Sequence, residues 1–267
     1  MTHKRGEFVV LKDGNWIKRQ KVAGSIVAKT HQEIFRMIHG TASNLTLKQL
    51  GEVADTIIRK NDCIPTFLGY NGFPSVICTS INKEIVHGFT RNIELKPGDV
   101  IKVDVGATFE GAIGDCACTY VYGKTTEQIG KLLISCQDAL YDAIKLVQPG
   151  RRIGELGKSI FQKSKDTGFG CITMFGGHGI DYDKLHAVPF VPNKAKADEG
   201  VTIQSGMSIA IEPMFVIGSN TNTKIMKDKW TVLTNDIGCH FEHSVTLDEN
   251  GNTHIMTDHG IFVRDFL

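Results

Sequence analysis

The sequence lacks an excess of charge of either sign, a long apolar run, and any Cys-x-x-Cys pair. Its 267 residues carry 30 Lys and Arg against 29 Asp and Glu. Nucleic acids and anionic membranes are normally met by a basic face, so this balance supports neither as a partner. No segment has the apolar length that a membrane span needs, and the opening Met1-Thr-His-Lys-Arg-Gly-Glu7 has no apolar core of the secretory kind. The seven cysteines are odd in number and scattered. They read as reduced thiols of a cytoplasmic protein and leave a zinc-finger reading without ligands. The composition, 41% hydrophobic and 22% charged, is that of a globular chain long enough to bury a sizeable core.

Apolar periodicity then supplies an order of elements. Val22, Ala23, Ile26, Val27, Ile34, Met37 and Ile38 recur at helical spacing within Ile17 to Ile38. A second stripe (Leu47, Leu50, Val53, Ala54, Ile57, Ile58) runs to Arg59 with Thr46 as N-cap. Short strand-like runs follow to Tyr122. The order then repeats, with helices expected from about Glu127 to Val147 and from about Gly154 to Lys165, and strands to the end. Two local matches support a duplication. Leu50-Gly51 corresponds to Leu156-Gly157, and Gly98-Asp-Val-Ile-Lys-Val-Asp104 to Gly206-Met-Ser-Ile-Ala-Ile-Glu212, at offsets of 106 and 108 residues. No Pro-, Ser- or charge-rich linker intervenes. The expectation is one domain over 1–267, made of two related halves (about 17–123 and 124–250) that bring Asp104 and Glu212 to a shared centre.

Residues 100–122 read as two alternating strands around a turn. With Phe109-Glu110 in the turn, Asp104 and Asp115 fall opposite each other on one face, Cβ atoms about 5 Å apart. Ionised carboxylates that close repel unless protonated or bridged by a cation. The plainer reading makes Asp104 a solvated strand acid and Asp115 a turn residue beside Gly114. The match of Asp104 to Glu212 favours a cation. His178 lies in Gly176-Gly177-His178-Gly179, where absent side chains allow a ligand close to the backbone, although a lone His is more often a satisfied core residue. Glu212 ends an apolar strand before Pro213, an odd place for an unpaired acid. Glu242 shares a strand face with Ser244 and Thr246, and a solvent-facing acid is its plain reading. Four carboxylates and one imidazole form a hard donor set, better suited to two adjacent divalent ions than to structural zinc. Paired ions activate water and polarise a carbonyl, as amide hydrolysis requires.

These five residues, in this order, resemble the metal set of the methionine aminopeptidases of the pita-bread fold. The motifs are Ser80-Ile-Asn-Lys-Glu-Ile-Val-His87-Gly, Val103-Asp104-Val, Gly114-Asp115, Gly177-His178-Gly-Ile, Ile211-Glu212-Pro-Met, Trp230-Thr-Val-Leu-Thr and Phe241-Glu242-His-Ser. The resemblance runs from Ile17 almost to the end and implies an α+β fold: a curved antiparallel sheet backed by two helix pairs. It implies two divalent ions (Co, Mn, Fe or Zn), with Asp104 on one, His178 and Glu212 on the other, and Asp115 and Glu242 bridging. It also implies His87 near the peptide nitrogen, His186 on the substrate carbonyl, Glu212 as proton shuttle to metal-activated water, and a methionine pocket drawn from Tyr70, Phe73, Cys78, Met214 and Trp230. The expected substrates are N-terminal methionyl peptides and nascent chains, met at the ribosome, with a small second residue favoured.

The chain departs from the family pattern at several places. The His178–His186 spacing is one residue longer, Asp181 replaces a small residue, and Ala187 replaces an acid. Leu185 and Phe67 stand where an aromatic and a small residue are usual. A proline-directed aminopeptidase of the same fold would be expected to carry a large extra N-terminal domain, yet only about a hundred residues precede Asp104. The type II methionine enzymes insert a helical subdomain between His178 and Glu212, and only 34 positions separate these residues. A non-catalytic pita-bread binding protein would have lost ligands.

Overall fold

A computed structural model describes residues 8–40 and 44–267; the first seven residues, part of the reading of the N-terminus, lie outside it. Helix α1 (Gly14–His39) begins where the Asp13 side chain accepts a hydrogen bond from the Trp16 amide at 2.7 Å. Helix α2 (Leu47–Lys60) opens on a capping box of Thr46 and Gln49. The apolar stripes face inward, with Ala23, Ile26, Val27, Ile34 and Ile38 buried on α1 and Leu47, Leu50, Ala54 and Ile58 on α2. Val22, expected on that stripe, is exposed. Strands β1 (Ile64–Pro65), β2 (Cys78–Ile81), β3 (Glu84–Val86), β4 (Val100–Phe109) and β5 (Ala112–Val121) follow.

The pattern then recurs. Helix α3 (Glu127–Ile144) is capped by Thr126, and α4 (Ile153–Thr167) ends on Gly168 in the left-handed region. Helix α3 stops three residues short of the expected Val147, where the chain tightens and the Leu146 and Val147 amides donate to the Ala143 and Ile144 carbonyls three residues back. Strands β6 (Gly170–Cys171), β7 (Gly176–Asp181), β8 (Lys184–Pro192), β9 (Ser208–Ile211) and β10 (Met214–Val216) precede β11 (Thr223–Ile225), β12 (Val232–Thr234), β13 (Gly238–His240), β14 (His243–Leu247) and β15 (Thr253–Ile255).

All strand pairings among the described residues are antiparallel. One sheet runs β1-β4-β2 with β5 also on β4; the largest runs β15-β14-β9-β7-β8. Two three-stranded sheets, β13-β10-β6 and β11-β12-β3, complete the set. Helix α1 packs on α2 and across β4 and β5, while α3 packs on α4 and α4 on β8. The helices thus form two pairs, each laid against strands, and the principal core fills the space between.

The strands that carry the candidate acids are tied together by side-chain hydroxyls. Ser244 Oγ accepts from the Asp115 amide at 2.8 Å and donates to the Asp115 carbonyl at 2.8 Å. Thr119 Oγ1 does the same for His240, accepting from its amide at 2.9 Å and donating to its carbonyl at 2.7 Å. The Glu242 amide donates to the Ala117 carbonyl at 2.8 Å. Residues 240–244 are therefore zipped along β5 where no regular ladder joins them, and this brings the acid of one strand beside the acid of the other. Buried Gln20 of α1 plugs the same junction, donating to the Ile113 carbonyl and to Ser208 Oγ.

Candidate metal centre

Asp104 and Asp115 share a face of the β4–β5 hairpin but are not directly opposite. The two-residue turn is Glu110-Gly111, both with positive φ (46° and 79°), as a type I′ hairpin turn requires. Glycine makes that geometry accessible one residue later than expected. The register moves by two, so Asp104 pairs with Ala117 and Asp115 with Gly106. A shift of two preserves the face, and the acids become diagonal neighbours.

His178 lies on β7, between β8 and β9, and its neighbouring glycines serve that sandwich. A Cβ at Gly177 would come within 2.1 Å of the Ala210 carbonyl oxygen, and one at Gly179 within 2.0 Å of that of Val188. The glycines thus admit neighbouring strands, where the sequence suggested room for a ligand. His178 Nδ1 hydrogen-bonds to the Gly179 carbonyl at 3.0 Å, which puts its proton there and turns Nε2 toward the acids. Nε2 stands 3.5 Å from Asp115 Oδ2 and 3.9 Å from Glu212 Oε1. One ligand atom each from Asp115, His178 and Glu242 lies within 4.8 Å of the others.

Asp104, Asp115, His178, Glu212 and Glu242 line a single cavity, and no Lys or Arg stands among its described lining residues. Asp104 Oδ1, Asp115 Oδ1 and Glu242 Oε1 are buried without a hydrogen-bond partner. Burial and then the neighbouring acids hold Asp104 and Glu242 well above the usual carboxylate range. Burial would also raise Glu212, but His240, His178 and His186 outweigh it and the net shift is downward. For His178, burial pulls downward, yet Asp115 and Glu212 prevail and raise it. Unpartnered anionic oxygens crowded in low dielectric are costly unless cations neutralise them. The donor set therefore fits divalent metal ions.

The apolar end of the cavity is formed by Phe67, Tyr70, Phe73, Cys78, Leu185 and Trp230. Phe73 and Trp230 meet edge to face at 5.2 Å. Cys78 stands directly across from Asp104, and burial followed by the adjacent acids keeps its thiol protonated. Met214, expected in this pocket, is a correction. It is buried behind the wall with Ile85, Ile172 and Val216, because the chain after Pro213 enters β10 and points it into a separate apolar cluster.

His87 and His186 both reach the cavity. His87 sits in the left-handed region (φ 59°), against the edge of Phe175. His186 lies edge-on to His178 with ring centroids 4.4 Å apart, its Nδ1 2.9 Å from the Tyr70 hydroxyl. Burial pushes its imidazole down to about 3. The longer His178–His186 spacing is absorbed by register shifts of β8 on either side of Gly179. Asp181 is taken up by Lys12, whose ammonium lies 3.0 Å from its carboxylate.

His240 escaped the sequence reading. It is buried on the cavity wall, with Nε2 3.4 Å from Glu212 Oε2 and 4.0 Å from Glu242 Oε2. The available signal was its alternation in sequence with Glu242 and Ser244.

Residues 18–249 match the model of metallopeptidase family M24. The chain is 36% identical over 246 residues to methionine aminopeptidase 1 of Bacillus subtilis, covering 91% of this chain and 97% of that one. The crystal structure of a methionine aminopeptidase from Thermotoga maritima superimposes with a TM-score of 0.89 at 33% identity, over 94% of this chain and all of that one. A prolidase from Pyrococcus furiosus has a TM-score of 0.73 at 20% identity, over 93% of this chain and 65% of that one, and so shares the fold alone.

Proposed function

From a chain that belongs to metallopeptidase family M24, among its methionine aminopeptidases, we propose removal of the N-terminal methionine from peptides and newly made chains. The ligands proposed are Asp104, Asp115, His178, Glu212 and Glu242, holding two divalent ions of the manganese, iron, cobalt or zinc kind. The observation that supports this assignment is the convergence of buried, unpartnered oxygens of Asp104, Asp115 and Glu242 in a cavity walled without Lys or Arg. When bound, such ions acidify water and polarise the scissile carbonyl.

The chain's own side chains supply binding, orientation and proton transfer. Phe73, Cys78, Tyr70 and Trp230 offer a soft, aromatic, uncharged end for a thioether. His186 Nδ1 and the Tyr70 hydroxyl are hydrogen-bonded at 2.9 Å; in the tautomer where Tyr70 is the donor, the imidazole proton sits on Nε2, free to hydrogen-bond the substrate carbonyl. Half-buried His87, lining the same cavity against Phe175, is the group assigned to the peptide nitrogen. Glu212, kept ionised, accepts a proton from water and returns it to the departing amine. A bulky second residue would displace the scissile carbonyl, and about 1 Å of misplacement can cost on the order of a hundredfold in rate.

The test strips metal by chelation, restores ions one at a time, and compares Met-Ala, Met-Leu, Leu-Ala and Ala-Pro peptides of equal length. Stripped protein is expected to be inert, and metal-restored protein to cut Met-Ala fastest. Full activity without metal would remove the ligand assignment. Fastest cleavage of Ala-Pro would replace the methionine reading with the proline-directed one.

A further inference from the structure

His240 has the geometry of a donor with no assigned acceptor. Its backbone is fixed on both sides by Thr119 Oγ1, so the ring is presented from a rigid position on β13. The residue is 2% exposed, lies on the cavity wall, and its Nε2 has no hydrogen-bond partner among the described residues. That nitrogen stands 3.4 Å from Glu212 Oε2 and 4.0 Å from Glu242 Oε2, while His178 Nε2 approaches the other Glu212 oxygen, Oε1, at 3.9 Å. The two imidazoles thus flank Glu212 from either side. A buried ring nitrogen without a partner is rare in a folded protein and calls for an explanation. Simple packing does not provide one, because the wall around Nε2 is carboxylate and not apolar. At 3.4 Å the Glu212 contact is an ion pair only when the imidazole is protonated, and a cation bound at Glu212 would have the neutral ring nitrogen beside it.

We propose that His240 is a sixth metal-binding residue of this centre, so that the chain offers two imidazoles where its sequence motifs account for one. The inference rests on the five-ligand reading above and adds one nitrogen to it. It carries a consequence for metal choice. Replacing an oxygen or water donor by imidazole favours cobalt, iron or zinc over manganese, following ligand softness and the general order of divalent affinities.

The experiment uses the tag-free chain loaded with cobalt(II) to saturation and counts cobalt-bound imidazoles by X-ray absorption. Wild type, His240→Gln and His240→Ala are compared, with metal content measured on the same samples. Two imidazoles per wild-type chain are expected, falling to one in both variants. The ratio of cobalt to manganese affinity should drop about tenfold or more in the variants, the usual scale for a lost contact at a metal site. One imidazole in wild type, or an unchanged ratio in the variants, overturns the inference and leaves the five-ligand reading standing. A wild-type chain that binds no cobalt overturns both. Because the wild-type count is decisive by itself, a variant that fails to fold does not rescue the idea.

Discussion

The two faces of strands β5 and β14 hold two clusters that look alike on paper. Asp115, His178 and Glu242 form one, and Cys116, His243 and His259 the other; both are buried, and in each the ligand-type atoms lie within 4.8 Å of one another. Asp115 and Cys116 are neighbours in sequence, as are Glu242 and His243, so alternation along the strands sends one of each pair to either face. Behind the sheet, the groups have partners. Cys116 Sγ donates to the Glu242 carbonyl at 2.9 Å, and His243 bonds Thr257 Oγ1 at 3.0 Å and the Tyr141 hydroxyl at 3.1 Å. His259 Nδ1 accepts from the Ile261 amide at 3.0 Å. Burial lowers both imidazoles and raises the thiol, so that cluster is neutral. On the cavity side, one oxygen each of Asp104, Asp115 and Glu242 has no hydrogen-bond partner among the described residues. Residue types and spacing do not separate a metal centre from a polar core; the state of the hydrogen-bond ledger does.

Substitutions on the two faces should therefore part company. Asp115→Asn is expected to show the largest effect, a loss of peptide hydrolysis of roughly a thousandfold or more, the scale of losing a charge that organises the transition state. The same variant should raise the melting temperature of the metal-free protein, because one of the repelling buried acids has gone. A metal-free melting temperature below that of wild type would show that the acids do not strain the empty centre. His186→Ala, at the edge of the cluster, should slow turnover about a hundredfold, the usual scale for a lost oxyanion contact. Its metal content, measured by atomic emission, should match wild type; loss of an equivalent of metal would make His186 a ligand. His243→Ala, on the far face, should leave metal content unchanged while costing about 2 kcal/mol of stability through the orphaned Tyr141 and Thr257 hydroxyls. Calorimetric melting should register that as a drop of roughly 4–8 °C. A variant that melts like wild type but binds metal poorly would erase the distinction between the faces.

Much of the architecture was legible because it depends on local rules. The helical stripes, the Thr46 cap and the Gly-led strands ending at Asp104 and Glu212 are set by periodicity and by residues within a few positions of one another. The hairpin register differs by two residues from the one the sequence suggests, because local pattern allows the turn on Phe109-Glu110 or on Glu110-Gly111 and only the positive φ available at Gly111 separates them. Met214 was placed in the pocket on side-chain chemistry, yet the pocket wall is chosen by which way β10 points. Lys102, on β4, is almost completely buried, which nothing in its local sequence signals. Its ammonium donates to the carbonyls of Asn82 at 2.7 Å and Val100 at 3.3 Å, and burial brings it down to about 7.

The chain by itself determined helices α1 to α4 and the hairpin that carries two acids on one face, since each follows from alternation, capping and the chemistry of single side chains. Only the tertiary structure decided that Ser244 and Thr119 would clasp two strands without a regular ladder and so set Asp115 beside Glu242. It alone decided that His240 would join them and that the Cys116 face would be satisfied instead. The physical reason is one of range. Periodicity and propensity act over a turn or a strand pair, whereas whether a buried polar atom finds a partner is settled by residues more than a hundred positions away.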